Sequence, residues 1–214
     1  PLVDGTCFQR IQSYELFFKY PNLNFMNDIF FDNIALDTNR LLLKVLDPTF
    51  AGKVIDYYKR NKDFFQTFLP NIENFLYDED YQTERLWKEF ELLMENKAIR
   101  FYIFKKKDFM YEQILGDIAI ANIIRGSVLS CTIAYNLDYL HTDRGYMTEA
   151  LRKVIDFIFT ELKLHKIEAY IQPVNKPSID LIKRLDFVSE GTARDYMFIK
   201  GKWVDHERYV LLNK

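Results

Sequence analysis

The chain has 214 residues, of which 49% are apolar, with only seven glycines and six prolines. This composition predicts a buried core and excludes a disordered chain, and the formal net charge of -2 offers no basic footprint for nucleic acid. No apolar run is long enough to span a membrane. The chain has two distant cysteines, Cys7 and Cys131, and lacks a signal peptide, so we expect the protein in the reducing cytoplasm. The three histidines are too isolated in sequence to suggest a metal site.

The first 35 residues are rich in Phe, Tyr and Asn and show no regular hydrophobic period. They are too apolar for a free tail, so we expect an extension that packs on the main domain or on a partner chain. Covering the substrate is the alternative role. No repeat or linker divides the rest, and residues 36–214 are predicted to form a single α/β domain.

The domain begins with a strand-like pattern over Asp37–Leu46. Asp47 followed by Pro48 is typical of an N-cap and first helical position, which predicts a helix over Thr49–Asn61. A second amphipathic helix is predicted from about Asp80 to Glu95. The apolar side chains of the first helix that should face the core are Phe50, Val54, Ile55 and Tyr58.

The middle of the chain contains three strand-like runs with short connections, which predict an antiparallel meander. These runs are Ile99–Phe104, Ile114–Ala121 and Val128–Leu137. A long amphipathic helix and the strand Lys166–Gln172 follow, and a strand–helix–strand unit implies a parallel pair with a right-handed crossover. The sequence therefore predicts a mixed, mostly antiparallel sheet with flanking helices.

A polar turn with one glycine lies between the third strand and the long helix, within Leu140–Leu151. The first N–H groups of a helix lack intrahelical partners and lie at the positive end of the helix dipole. Arg144 adds a full positive charge, so the turn is a candidate seat for phosphate or pyrophosphate. The alternative is an ordinary strand-to-helix connection. Glu149, one turn into the helix, is expected to form a structural pair.

The C-terminal part contains one short helix and two strands. Asn175 is a plausible N-cap before Lys176–Pro177, and the last two strands are predicted over Phe187–Ile199 and Lys202–Leu212.

Several short motifs follow one another in a recognisable order. Asn39-Arg-Leu-Leu-Leu-Lys44 is followed by Leu115-Gly-Asp-Ile118, and then by Ile133-Ala-Tyr135 with Arg144-Gly-Tyr-Met-Thr-Glu-Ala-Leu151. Asn175-Lys-Pro-Ser178 and Trp203-Val-Asp-His206 complete the series. From about Leu36 to Leu212 the chain thus resembles the GNAT family of N-acetyltransferases, in particular its branch of ribosomal-protein N-terminal (alanine/serine) acetyltransferases.

The resemblance implies the acyl-CoA N-acyltransferase fold, in which the parallel strands splay apart and admit the pantetheine arm of acetyl-CoA. The backbone of Tyr135, Asn136 and Leu137 would pair with that arm, and Asn175 would bond to it. The pyrophosphate would be wrapped by the turn, whose implied cofactor-binding residues are Thr142, Asp143, Arg144, Gly145, Tyr146, Met147 and Thr148. Gly145 would let the backbone approach the phosphates.

The resemblance also implies direct attack of an amine on the thioester. Many family members use a tyrosine as the acid, but Ile182 stands at that position. Ser178, which matches a serine near the sulfur in this branch, is the expected acid; plain capping of the short helix is the alternative. Asp195 is the expected base. Asp117 and a water-mediated base are the alternatives, and Asp117 could also be a solvated strand carboxylate.

We therefore expect an acetyl-CoA-dependent N-acetyltransferase whose acceptor is a protein N-terminus. A small amine (an amino acid, polyamine or antibiotic) is the second candidate acceptor, and a degenerate acyl-CoA-binding module is the third function. The expected partners are acetyl-CoA and the amine acceptor, with a homodimer left open and with no nucleic acid and no membrane.

Overall fold

A computed structural model of the protein describes residues 34–66 and 74–214. Its centre is an eight-stranded sheet in the order β1-β2-β3-β4-β5-β6-β8-β7, in which β5 and β6 are parallel and all other neighbours are antiparallel. The strands are β1 (Ala35–Asp37), β2 (Leu41–Lys44), β3 (Ile99–Lys105), β4 (Gly116–Ile124), β5 (Ser130–Leu137), β6 (Lys166–Ile171), β7 (Val188–Ile199) and β8 (Lys202–Leu212). The predicted mixed sheet, its central meander and its parallel pair are confirmed.

Five α-helices flank the sheet in the described ranges. They are α1 (Ala51–Arg60), α2 (Lys62–Phe65), α3 (Glu79–Met94), α4 (Tyr146–Thr160) and α5 (Lys176–Lys183), and short 3₁₀ turns cover Pro48–Phe50, Asn74–Tyr77 and Tyr139–His141. Asp47 is confirmed as an N-cap, although of the 3₁₀ turn Pro48–Phe50 that leads into α1: its carboxylate accepts the Thr49 N–H at 2.8 Å. None of the described helices has the length and apolar character needed to cross a membrane.

Within the described residues the sheet begins at Ala35, the last residue of the segment that the sequence assigns to an extension. The predicted packing of that extension lies outside the described residues. The predicted apolar face of the first helix omits Tyr57, which is fully buried. Phe50, which the sequence places in that face, lies in the 3₁₀ turn and is only partly buried.

The two sides of the sheet pack against different helices. Side chains alternate along a strand, so Phe101 and Ile103 join α4 in one hydrophobic cluster, whereas Tyr102 and Phe104 join α1 in another. We call these sides the α4 face and the α1 face of the sheet. The end of α3 also contributes to the cluster on the α4 face.

The parallel strands separate along their length. β5 pairs with β6 only where Ser130–Thr132 oppose Lys166–Glu168, although β5 continues to Leu137 and β6 to Ile171. Both strands lie wholly in the described ranges. The connection from β5 to α4, residues 138–145, which we call the β5–α4 turn, lies at this open end.

Candidate active site

A cavity of about 250 Å³ opens where β5 and β6 separate. Eleven of the residues that the family resemblance assigns to cofactor binding line it. They are Tyr135, Asn136, Leu137, Thr142, Asp143, Gly145, Tyr146, Met147, Thr148, Asn175 and Ser178. The structure thus brings together the end of β5, the β5–α4 turn and the start of α5, as the resemblance implies.

The conformation of the β5–α4 turn explains its glycine. Gly145 is the N-cap of α4 and has φ +73°, a left-handed conformation that side chains disfavour. Its carbonyl accepts the Glu149 N–H at 3.0 Å, which begins the helix. The N–H groups at the start of α4 therefore lie beside the cavity at the positive end of the helix dipole.

A buried ion pair fastens the start of the β5–α4 turn to the end of α1. The Asp138 side chain is fully buried and accepts Arg60 Nε at 2.5 Å and Asn61 Nδ2 at 3.2 Å. Asn61 Oδ1 in turn accepts the Tyr139 N–H at 2.9 Å. Burial alone would raise the pKa of Asp138, but the bonds from Arg60, the Leu140 N–H and Asn61 hold it below its ordinary value. Asp138 therefore stays ionised and keeps the turn in place.

Tyr135 connects the separated strand β5 to α5. Its hydroxyl donates to the Ser178 backbone carbonyl at 3.2 Å, and burial raises the pKa of Tyr135, so the phenol stays protonated. Asn175 Oδ1 accepts the Ser178 N–H at 3.3 Å, which is the predicted helix cap. Ser178 is therefore held from both sides while it lines the cavity.

Two other predicted residues do not line the cavity. Arg144 is exposed, and its carbonyl accepts Arg40 Nη1 at 3.0 Å on the outer side of the turn. Asp195 lies at an irregularity of β7, with φ +48°, and its N–H donates to the Asp205 carboxylate at 2.8 Å. The proposed role of Asp195 as the base remains a prediction.

The expectation that Asp117 could be a solvated strand carboxylate is wrong. Asp117 is 1% exposed on the α1 face. Its carboxylate accepts the Tyr57 hydroxyl at 3.2 Å and Asn136 Nδ2 at 3.3 Å, and it pairs with Arg100. Through Asn136, this buried network reaches the cavity.

The sequence interpretation missed five further residues of the cavity lining. Phe64 and Phe65 enter from α2, and Pro177, Leu181 and Arg184 come from the segment around α5. Leu181 and Arg184 continue the three-residue spacing of Asn175 and Ser178, so helical periodicity could have identified them. The aromatic pair gave no such signal, because its contact with the cavity is formed by distant parts of the chain.

The comparison with known families decides the identity of this architecture. Residues 40–188 match the model of the acetyltransferase (GNAT) domain. The chain belongs to the GNAT acetyltransferase family. It is therefore an acetyl-transferring enzyme, as the resemblance implied.

Individual members of the GNAT family agree with this assignment. The chain is 34% identical to the probable N-acetyltransferase YjcK of Bacillus subtilis over 81% of this chain and 94% of that protein. It is 32% identical to the [ribosomal protein uS5]-alanine N-acetyltransferase of Escherichia coli over 81% of this chain and 88% of that protein. The crystal structure of ribosomal-protein-S5-alanine acetyltransferase from Vibrio fischeri superimposes with a TM-score of 0.79 at 26% identity, covering 85% of this chain and 98% of that one.

Proposed function

We propose that the protein transfers the acetyl group of acetyl-CoA to a protein N-terminal amine by direct attack. The observation that carries this proposal is the cavity at the open end of the parallel pair, lined jointly by β5, the β5–α4 turn and α5. A GNAT enzyme needs one site that holds the phosphates, the pantetheine arm and the thioester in line, and this cavity offers groups for each.

The donor fits two different kinds of backbone surface. The start of α4 offers N–H groups and a positive dipole to a pyrophosphate. Beyond Thr132 the edge of β5 is not paired with β6, so the backbone of Tyr135, Asn136 and Leu137 supports pairing with an extended pantetheine arm, as in strand addition. Asn175 lines the same cavity.

The chemistry is a direct displacement on the thioester. The neutral amine forms a bond to the acetyl carbon, the tetrahedral oxyanion collapses, and the C–S bond breaks to release the CoA thiolate, which takes up a proton. Ser178 is the proposed proton donor. The amine gives up its proton to a base, for which Asp195 and a base acting through water are the candidates, because Asp117 is engaged by Arg100 and Tyr57.

The acceptor is proposed from the Escherichia coli relative, whose name states action on an alanine of a ribosomal protein. Such an acceptor is made in the cytoplasm, the location that the sequence predicts. The test measures acetyl-CoA turnover with peptides that begin with alanine or serine, and release of the CoA thiol monitors the reaction. The same peptides with blocked N-termini are the matched control, and amino acids, polyamines and aminoglycosides are the competing acceptors.

Turnover with free but not blocked peptides supports the proposal. Turnover with small amines alone would replace the acceptor class, and binding of acetyl-CoA with no turnover on any amine would leave only a binding module. Failure to bind acetyl-CoA would overturn the donor assignment as well.

Ser178→Ala tests the proposed proton donor. We expect kcat to fall about 100-fold, in the range that general acid catalysis contributes, with an unchanged Kd for acetyl-CoA. Ser127→Ala, in the exposed turn between β4 and β5, is the control and should leave kcat unaltered. Full turnover by Ser178→Ala would remove this hydroxyl from the mechanism.

A further inference from the structure

Arg40, immediately before β2, makes four contacts to one six-residue segment of the chain. Its Nε lies 2.6 Å from Glu149 Oε2, its backbone N–H donates to Glu149 Oε1 at 2.9 Å, and its Nη1 donates to the Arg144 carbonyl at 3.0 Å. The guanidinium carbon also lies 4.6 Å from the centre of the Tyr146 ring. All of these partners lie in the β5–α4 turn or the first helical turn after it.

The side of the turn that Arg40 contacts is the side away from the cavity. Arg40 does not line the cavity beside Ser178, but it does line a separate shallow cleft that shares Gly145 and Thr148 with it. Its Nη2 lies 3.6 Å from the position that a Cβ on residue 145 would take. The turn is therefore sandwiched between the Arg40 guanidinium and the cavity.

The bond to the Arg144 carbonyl sets the direction of the next N–H group. The peptide between Arg144 and Gly145 is trans, so its C=O and N–H point in opposite directions. Because the C=O points toward Arg40, the Gly145 N–H points away from Arg40, and Gly145 also lines the cavity. Arg40 thus orients a donor that a phosphate can use.

Glu149 gives Arg40 a second effect on the turn. A carboxylate in the first turn of α4 repels an anionic ligand that approaches the same helix end. Burial alone would raise the pKa of Glu149, but bonds from Thr38 and Arg40 hold it below its ordinary value, so Glu149 is an anion at neutral pH. Thr38 Oγ1 contributes its bond at 2.6 Å. Arg40 therefore compensates the charge of Glu149 and also fixes the backbone of the β5–α4 turn at Arg144.

We infer that Arg40 is the positioning residue of the β5–α4 turn, which it holds in the conformation that binds the CoA pyrophosphate without itself binding the cofactor. This inference rests on the proposed function, in which that turn receives the phosphates of acetyl-CoA. It assigns the Thr38–Arg40 segment a role in cofactor affinity, although the segment lies outside the cavity lining.

The test separates the positioning effect from the charge. Arg40→Lys keeps the charge but loses the fork that joins Glu149 to the Arg144 carbonyl. Arg40→Met with Glu149→Gln removes both charges and leaves the net charge of the site unchanged. We expect both to raise the Kd for CoA on the order of tenfold, which is about 1.4 kcal/mol. Arg152→Met, which removes one positive charge from the same shallow cleft, should have a smaller effect.

A truncated donor provides the readout that a general loss of structure would not produce. Acetyl-pantetheine lacks the pyrophosphate, so the Arg40 variants should lower kcat/KM with acetyl-CoA and leave kcat/KM with acetyl-pantetheine at the wild-type value. Equal losses with both donors would overturn the inference. Wild-type affinity for CoA in Arg40→Lys and in the double variant would also overturn it. If the wild-type protein itself binds no CoA, the proposed function fails and the inference fails with that function.

Discussion

The two faces of the sheet bury different kinds of side chain. On the α4 face, the strands contribute apolar residues such as Leu43, Phe101 and Ile118, all fully buried against α4. On the α1 face, the strands of the same sheet also bury polar side chains. Among the described strand residues, the buried polar ones are Lys44, Asp117, Ser130, Glu168 and His206, and strand alternation and cross-strand register place all five on the α1 face.

This difference shows that one sheet can bury only apolar strand residues on one side and paired polar residues on the other. A buried charge is costly unless it is paired, and the α1 face provides partners for its carboxylates. Asp117 has Arg100 and Tyr57, and Glu168 has Lys166 and Arg208. The α4 face needs no such partners, so its contribution depends on apolar area and packing alone.

The largest expected effect is on the α4 face. Leu151 of α4 is fully buried in the hydrophobic cluster, and Leu151→Ala leaves a cavity that this packed face cannot refill. We expect a loss of about 3–4 kcal/mol in the free energy of unfolding, measured by urea titration. Leu212→Ala, at a position 46% exposed at the end of β8, should cost far less. Equal losses for the two variants would mean that the α4 face is not the tightly packed side.

The next effect, on the α1 face, should depend on pairing. Arg100 pairs with Asp117. Its Nε also lies 2.8 Å from Glu89 Oε1, but the geometry of this second ion pair does not make a hydrogen bond. Asp117→Asn leaves Arg100 with a single carboxylate, and we expect a loss of about 2 kcal/mol. Arg100→Met leaves Asp117 unpaired, with a similar cost.

A double-mutant cycle sharpens the contrast between the faces. Asp117→Asn combined with Arg100→Met should cost less than the sum of the single changes, by about 1 kcal/mol or more, because neither charge is then left alone. Additive losses in urea unfolding would show that the pair is not a coupled unit and that the α1 face is stabilised by apolar packing like its opposite.

The parts of the molecule with a local sequence signal were predicted well. The crossover from β5 through α4 to β6 follows from hydrophobic periodicity, and the Gly145 turn follows from the single glycine between strand and helix. The same holds for the caps of the 3₁₀ turn before α1 and of α5, where Asp47 and Asn175 precede a proline and accept a backbone N–H. In each case, the interaction spans only a few residues.

The parts that depend on distant contacts could not be predicted in this way. Arg40 meets Glu149 across 109 positions of the chain, and Tyr57 meets Asp117 across 60. The burial of Asp117 follows from the packing of α1 on β4, and nothing in the residues around it signals that contact. β1 was missed for a different reason, since three residues at a sheet edge are too few to show alternation.

The smallest expected effect is a pH dependence from Glu168 on the α1 face. Burial alone would raise its pKa, but bonds from Lys166, Arg208 and Tyr170 lower the pKa to about 2, below the ordinary value of 4.5. Its stabilising contribution is therefore complete above pH 4.5 and is lost as the pH falls toward 2. A shift of this size corresponds to at most about 3 kcal/mol. Because Arg208 is one-third exposed and screened by solvent, we expect Glu168 to contribute about 1 kcal/mol.

Glu168→Gln should thus be less stable than the wild type in urea at pH 6, and the difference should shrink below pH 4.5. The control Glu84→Gln, at an exposed position of α3, should match the wild type both at pH 6 and below pH 4.5. A deficit of Glu168→Gln that stays constant down to pH 3 would show that Glu168 stabilises the α1 face by packing and hydrogen bonding and not by its charge.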